Sequence, residues 1–146
     1  MKISVIIRTY NEAEWLAFSL DSVLKQEGLD QLEIFIVDSG SSDATLLIAQ
    51  SYKEFANVTI LDYEGNYLPG KSLNMGVVRA LKENPDFILI LSAHCVIQEK
   101  NAVFEMAKAL CSHANVRTVY GRQLPLEFSD PVAWRDMTHL YQSESR

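Results

Sequence analysis

The chain has 146 residues, 48% hydrophobic and 22% charged, which is enough apolar material for one buried core and an ordinary length for one domain. Its net charge of -6, with Lys and Arg scattered, excludes the basic surface that nucleic acid binding draws on and argues against a polybasic membrane patch. No apolar run approaches the roughly 20 residues that span a bilayer, and Cys95 and Cys111 form no CxxC pair, so neither a disulfide framework nor a zinc knuckle is expected and a reducing cytoplasm is the default setting.

The N-terminus carries one positive charge but no adequate apolar region or small-residue cleavage site, so Ile3–Ile7 reads as a first strand rather than part of a signal peptide. Leu16, Leu20, Val23 and Leu24 then share a helix face, with Asn11 and Glu14 at capping-box spacing before them. Ile34–Val37 is the second strand. Ser41-Ser42-Asp43 offers caps for a second helix, whose expected apolar face is Ala44, Leu47, Ile48, Tyr52 and Phe55. Val58–Leu61 is the third strand, followed by a helix with Leu73, Val77, Ala80 and Leu81 on one face. Phe87–Leu91 is the fourth, followed by a face of Val103, Ala107, Leu110 and Cys111. A weaker strand is expected at Val116–Tyr120. After the loop-like 121–125, Asp130-Pro131 opens a short helix carrying Trp134, Met137 and Tyr141. Short, nearly continuous β-branched runs are strands covered on both faces. Their alternation with helices predicts an α/β fold with a mainly parallel central sheet.

In such a sheet ligands bind beyond the carboxyl ends of the strands, beside a topological switch point. Polar clusters occupy all four strand ends: Arg8-Thr9-Tyr10-Asn11-Glu12, Asp38-Ser39-Gly40-Ser41-Ser42-Asp43, Asn66 with Gly70-Lys71-Ser72-Leu73-Asn74-Met75-Gly76, and Ser92-Ala93-His94-Cys95. No GxGxxG follows the first strand and no GxxxxGK[ST] loop occurs, which argues against dinucleotide and NTPase readings.

Thr9-Tyr10-Asn11-Glu12, Val37-Asp38-Ser39-Gly40-Ser41-Ser42-Asp43 and Gly70-Lys71-Ser72-Leu73-Asn74-Met75-Gly76 resemble the motifs of family 2 glycosyltransferases. The resemblance runs from Met1 to about Gln123. It implies a Rossmann-like GT-A three-layer sandwich, with residues 1–123 as a nucleotide-sugar-binding domain and 124–146 as a C-terminal segment leading to an acceptor-side half. It also implies transfer of a sugar from a nucleoside diphosphate sugar to an acceptor hydroxyl, with inversion, in glycan or polysaccharide synthesis. The donor site would then comprise Thr9, Tyr10, Asn11, Glu12, Asp38, Ser39, Lys71, Asn74, Ser92, Ala93 and His94. Asp38 would accept from the base, Thr9 and Tyr10 would flank it, and Lys71 would reach base or diphosphate as a mobile charge. Family members usually carry Asp-x-Asp where this chain has Ser92-Ala93-His94. A Mn²⁺ or Mg²⁺ ion therefore loses its carboxylate ligands, leaving His94 to ligate a transition metal or, protonated, to meet the diphosphate alone. The acceptor, a glycan or a lipid-linked saccharide, is not specified, and a homo-oligomer and a peripheral membrane location are compatible. Glu127, Asp130, Asp136 and Glu144 lack a Glu-Asp context, so no catalytic base is assigned.

Plainer readings exist for each feature. The Asp38–Ser42 turn can simply be a capped strand-to-helix connection, Lys71 a solvated first-turn residue, and His94 a strand-end imidazole on a carbonyl. Glu12 and Glu14 suit a helix start; Cys95 and Cys111 suit buried apolar positions; the Trp134 stripe suits core or subunit contact. Arg122 has no assigned role. Two function classes follow from the motifs together: part of an active transferase, or a nucleotide-sugar-binding or interaction module that keeps the fold without turnover. A nucleotidyltransferase-like reading is disfavoured because no glycine- and arginine-rich loop follows Ile7.

Overall fold

The computed structural model describes residues 1–64, 68–127 and 129–140. Asn66, Tyr141 and Glu144 lie outside the described residues. Along the chain come β1 (Lys2–Thr9), α1 (Leu16–Leu24), β2 (Gln31–Asp38), α2 (Thr45–Ser51) running into a 3-10 turn (Tyr52–Glu54), and β3 (Asn57–Asp62). Then follow α3 (Pro69–Leu81), β4 (Phe87–Ser92), α4 (Ala102–Ser112) and α5 (Pro131–Leu140).

The strands form one parallel sheet in the order β3-β2-β1-β4. The chain steps outward from β1 to β2 and β3, then returns to the other side of β1 as β4. The switch point therefore lies between the carboxyl ends of β1 and β4, where an open α/β sheet leaves a crevice. Register aligns those ends: Thr9 pairs with Asp38, Arg8 with Ser92, and Asp38 with Asp62.

Helices cover both faces. On one, Ile3, Val5, Ile7, Ile34, Ile36 and Val58 pack with Leu16, Leu20 and Val23 of α1, Ala49 of α2 and Val103 of α4. On the other, Ile6, Phe35 and Val37 meet Ala80, Leu73 and Val77 of α3. That is the three-layer α/β architecture expected from the alternation. Gly76 sets how closely α3 lies on the sheet: an added Cβ would stand 2.6 Å from a methyl of Ile6 and 2.9 Å from one of Val37. Only glycine admits that approach.

Local signals were displaced in several places. α1 begins at Leu16 with no side-chain cap, because Asn11 adopts a left-handed φ of 55° and turns its amide oxygen to the backbone N–H of Ser42. The N-cap of α2, Ala44, makes no side-chain cap; Asp43 before it accepts from the backbone N–H of Thr45. That helix is rotated from its expected face: Thr45 and Ala49 are buried, whereas Ala44, Leu47 and Phe55 are exposed. Tyr52 anchors the rotation by donating toward the carbonyl of Ala17 and the carboxylate of Asp21, and burial together with Asp21 pushes its hydroxyl pKa up to about 12. Leu81 and Cys111 also face solvent rather than core.

Val116–Tyr120 is not a strand. Its exposed backbone enters through a turn in which Val116 N–H donates to the carbonyl of His113, and no strand among the described residues pairs with it. A β-branched segment without a ladder partner gains nothing from extending. The Asp130-Pro131 helix start is present as α5, where the Asp130 carboxylate accepts from Val132 N–H. Trp134 on that helix is exposed and Met137 half-buried.

Candidate donor site at the strand ends

The ends of β1 and β2 are closed by one carboxylate. Asp38 is 2% exposed and its Oδ1 accepts from the hydroxyls of Thr9 (2.8 Å) and Ser41 (2.6 Å). Its Oδ2 accepts from the backbone N–H groups of Gly40 (3.0 Å) and Ser41 (2.8 Å). An ionised carboxylate offers about four lone-pair directions, and the chain itself fills all four. Gly40 sits at φ 82°, the left-handed turn that brings its N–H back to Asp38. Thr9, the last residue of β1, is buried, with its hydroxyl directed at Asp38. The Ser39 N–H donates to the carbonyl of Thr9, and the Ser39 hydroxyl is buried without a hydrogen-bond partner among the described residues.

The two loops interlock beyond that carboxylate. Asn11 N–H donates to Ser41 Oγ, Glu12 N–H to Thr45 Oγ1, and Ala13 N–H to Asp43 Oδ2. The hydrogen bond from the Thr45 hydroxyl holds the Asp43 carboxyl below its ordinary value, against the opposing effect of desolvation and helped by the N–H groups of Thr45 and Ala13.

At the switch point a cavity of about 120 Å³ is lined by Arg8, Tyr10, Glu12, Leu73, Ser92, Ala93 and His94, with Ile90 and Leu91. Five of the residues singled out from sequence meet here. Tyr10 is 48% exposed, so its ring is available at the rim, while Ala93 is buried. His94 Nδ1 stands 3.4 Å from Glu12 Oε1, at the outer limit of a hydrogen bond. Cys95, next to them, is half-buried and its thiol is pushed up by burial, against a lowering hydrogen bond at Ser92. Lys71 and Asn74 are set apart: with Leu68, Pro69 and Gly70 they line an open depression at the start of α3.

Arg8 is the cavity residue to which sequence reasoning gave no role. The signal was present, since side chains alternate along a strand. With Ile7 facing α1 and Ile6 facing α3, Arg8 must face the α3 side, where Leu73 lies.

Glu12 and His94 supply one carboxylate and one imidazole, and no group of three His, Cys, Asp or Glu residues among the described residues is arranged to hold an ion. Two donors do not make a protein-held hard-cation site.

The model of the family described as "Glycosyl transferase family 2" matches residues 4–143. The O-antigen chain rhamnosyltransferase RfbN of Salmonella typhimurium is 29% identical over 99% of this chain, and the chain spans 44% of that relative's length. The poly(ribitol-phosphate) beta-N-acetylglucosaminyltransferase TarS of Staphylococcus aureus is 32% identical over 68% of the chain and 17% of its own. Among solved structures, TarS 1–349 in complex with UDP-GlcNAc superposes with a TM-score of 0.69 at 29% identity, over 86% of this chain and 37% of that one. The mannosyltransferase PcManGT of Pyrobaculum calidifontis, in complex with GDP-Man and Mn²⁺, superposes with a TM-score of 0.66 at 25% identity, over 75% and 32%. These neighbours are GT-A glycosyltransferases, so the sheet and its covering helices are the GT-A fold expected from the motifs. With its motifs at the ends of a parallel sheet and the family's model spanning nearly its whole length, this chain belongs to glycosyl transferase family 2.

Proposed function

We propose that this chain is the donor-binding part of a transferase that moves a sugar from a nucleoside diphosphate sugar to an acceptor hydroxyl, with inversion, in glycan or polysaccharide synthesis. The observation that carries the reading is the cavity at the β1–β4 switch point, lined by Arg8, Tyr10, Glu12, Ser92, Ala93 and His94. Solved neighbours in complex with UDP-GlcNAc and GDP-Man support it.

In this reading residues 1–123 form the donor domain and 124–146 lead toward an acceptor side. Tyr10 stacks at the rim on the base, and Ser39 lies in the turn beneath it. Thr9 and Asp38 act from below, as the buried pair that shapes the base-facing turn, which refines the direct contact expected from sequence. Glu12 forms the wall opposite Ser92-Ala93-His94, and Asn11 holds the turn beside it. Lys71 and Asn74 reach the ligand from α3. The acceptor oxygen bonds to the anomeric carbon as the bond to the diphosphate breaks, and the electron pair leaves on the diphosphate. Arg8 and Lys71 are the cations set to stabilise that charge, and a ring N–H of His94 can donate to it. The base that takes the acceptor's proton remains unassigned. Glu12 and His94 alone do not fit a divalent cation.

Among the described residues no helix is long and apolar enough to cross a membrane. A cytoplasmic or membrane-peripheral setting, a glycan or lipid-linked acceptor, and self-association belong to the same proposal. A binding module without turnover is the second reading, favoured by the absence of an acidic pair at Ser92-Ala93-His94.

The test is a thermal-shift panel of UDP, GDP, CDP and dTDP sugars with and without Mn²⁺. A ligand at 100 times its Kd stabilises the native state by about 2.7 kcal/mol. One nucleotide class is expected to raise Tm, and Tyr10→Ala to abolish most of the rise. No rise with any donor would sink the reading. A rise without donor hydrolysis or transfer supports the module, and an unchanged Mn²⁺ response in His94→Ala excludes that residue as a metal ligand.

A further inference from the structure

The interlock between the β1 and β2 loops has a directional logic. Thr45 is fully buried, and its hydroxyl both donates to Asp43 Oδ1 at 2.5 Å and accepts from Glu12 N–H at 2.8 Å. A hydroxyl has one hydrogen. Because Asp43 takes it, a lone pair is left facing Glu12. Asp43 then holds the next link itself, accepting from Ala13 N–H at 3.1 Å, while its Oδ1 also accepts from Thr45 N–H at 2.9 Å. Asn11 is carried at φ 55° in the same turn, a conformation uncommon outside glycine. It is retained by Ser41 Oγ on its N–H and by Ser42 N–H on its side-chain oxygen.

We propose that Asp43 and Thr45 are positioning residues of the donor site, fixing the backbone of Glu12 and Ala13 and so setting the Glu12 carboxylate opposite His94. The proposal rests on reading the switch-point cavity as the donor site. Glu12 lines that cavity, yet β1 ends at Thr9 and α1 starts only at Leu16. No ladder or helical hydrogen bond of its own element holds the Glu12 N–H. The Glu12 carbonyl accepts from Trp15 N–H (3.1 Å) and Leu16 N–H (2.9 Å), but its N–H is held by the Thr45 hydroxyl, and the hydroxyl's polarity comes from Asp43. The rotation of α2 that buries Thr45 instead of Leu47 is the structural consequence: the helix presents a hydroxyl, not an alkyl chain, to the neighbouring loop.

The experiment compares Thr45→Val, Thr45→Ser and Asp43→Asn with the wild-type chain. Three readouts are taken: amide exchange at Glu12 and Ala13, the NMR resonance of the His94 ring, and donor affinity by calorimetry. Losing a buried partner makes the Glu12 N–H an orphan, so Thr45→Val is expected to speed its exchange about tenfold and weaken donor binding about tenfold. The His94 resonance should shift as Glu12 withdraws, and Thr45→Ser should restore all three. If Thr45→Val does not fold, Asp43→Asn is read at Ala13: its amide oxygen still serves Thr45, but its NH2 faces the Ala13 N–H, whose exchange is expected to speed. Exchange at Glu12 and the His94 resonance are read without nucleotide. A wild-type chain that binds no donor therefore sinks the donor-site reading, whereas a folded Thr45→Val variant with unchanged Glu12 exchange and His94 resonance, or a folded Asp43→Asn variant with unchanged Ala13 exchange, overturns this one. Loss of affinity that Thr45→Ser fails to restore also overturns it.

Discussion

The strand ends of β1 and β2 and the outer side of β4 treat their exposed chemistry in opposite ways. At the first, Thr9, Asp38 and Thr45 are buried and their polar atoms are bonded to one another or to backbone. At the second, β4 pairs among the described residues with β1 alone, and Val116, Tyr120, Leu124 and Leu126 follow it on the surface. The donor-side loops are completed by hydrogen bonds within the chain. The segment after β4 leaves its apolar side chains exposed. Stability and binding should therefore depend on the first region far more than on the second.

The sharpest way to break that comparison is Asp38→Ala. It leaves two hydroxyls and two backbone N–H groups without their acceptor, and an unsatisfied buried group costs about 1–3 kcal/mol. The expected loss is about 3 kcal/mol in urea unfolding, with the rest of the site disordered as a result. A loss under about 1 kcal/mol would mean that the loops hold their shape without the carboxylate.

Gly76→Ala probes the packing beneath the same site. The new methyl meets Ile6 and Val37 at less than contact distance, and overpacking of this kind costs about 1–3 kcal/mol. The shift of α3 should be felt at Leu73, which lines the cavity. Donor affinity and Tm are therefore expected to fall together. The smallest effect is expected on the far side: Leu124→Ala, at a residue 48% exposed, should change unfolding free energy by less than about 0.5 kcal/mol. A larger change would mean that the segment after β4 is packed more firmly than its exposure indicates.

Much of the architecture was legible from residue order. Strand runs such as Ile3–Ile7 announce themselves because every residue of a central strand is buried, and β1 is central. The helix start at Asp130-Pro131 follows from local backbone chemistry. The site was legible as a set of strand ends, and Tyr10, Glu12, Ser92, Ala93 and His94 do meet around one cavity. The state of Asp38 was not, because nothing in Val37-Asp38-Ser39-Gly40-Ser41 says whether its lone pairs face a ligand or the chain's own donors. The separation of Lys71 and Asn74 from that cavity depends on how α3 is laid over the sheet, which their spacing does not reveal.

By itself, then, the sequence determined the alternation of strands and helices and the family to which the chain belongs, because periodicity and motif are properties of neighbouring residues. Tertiary structure decided the rest. It enclosed Asp38, turned Thr45 inward at the expense of Leu47, brought Arg8 to the cavity and left Val116–Tyr120 without a ladder. Each of those outcomes turns on a partner distant in the chain, and a hydrogen bond or a packed face exists only when that partner arrives.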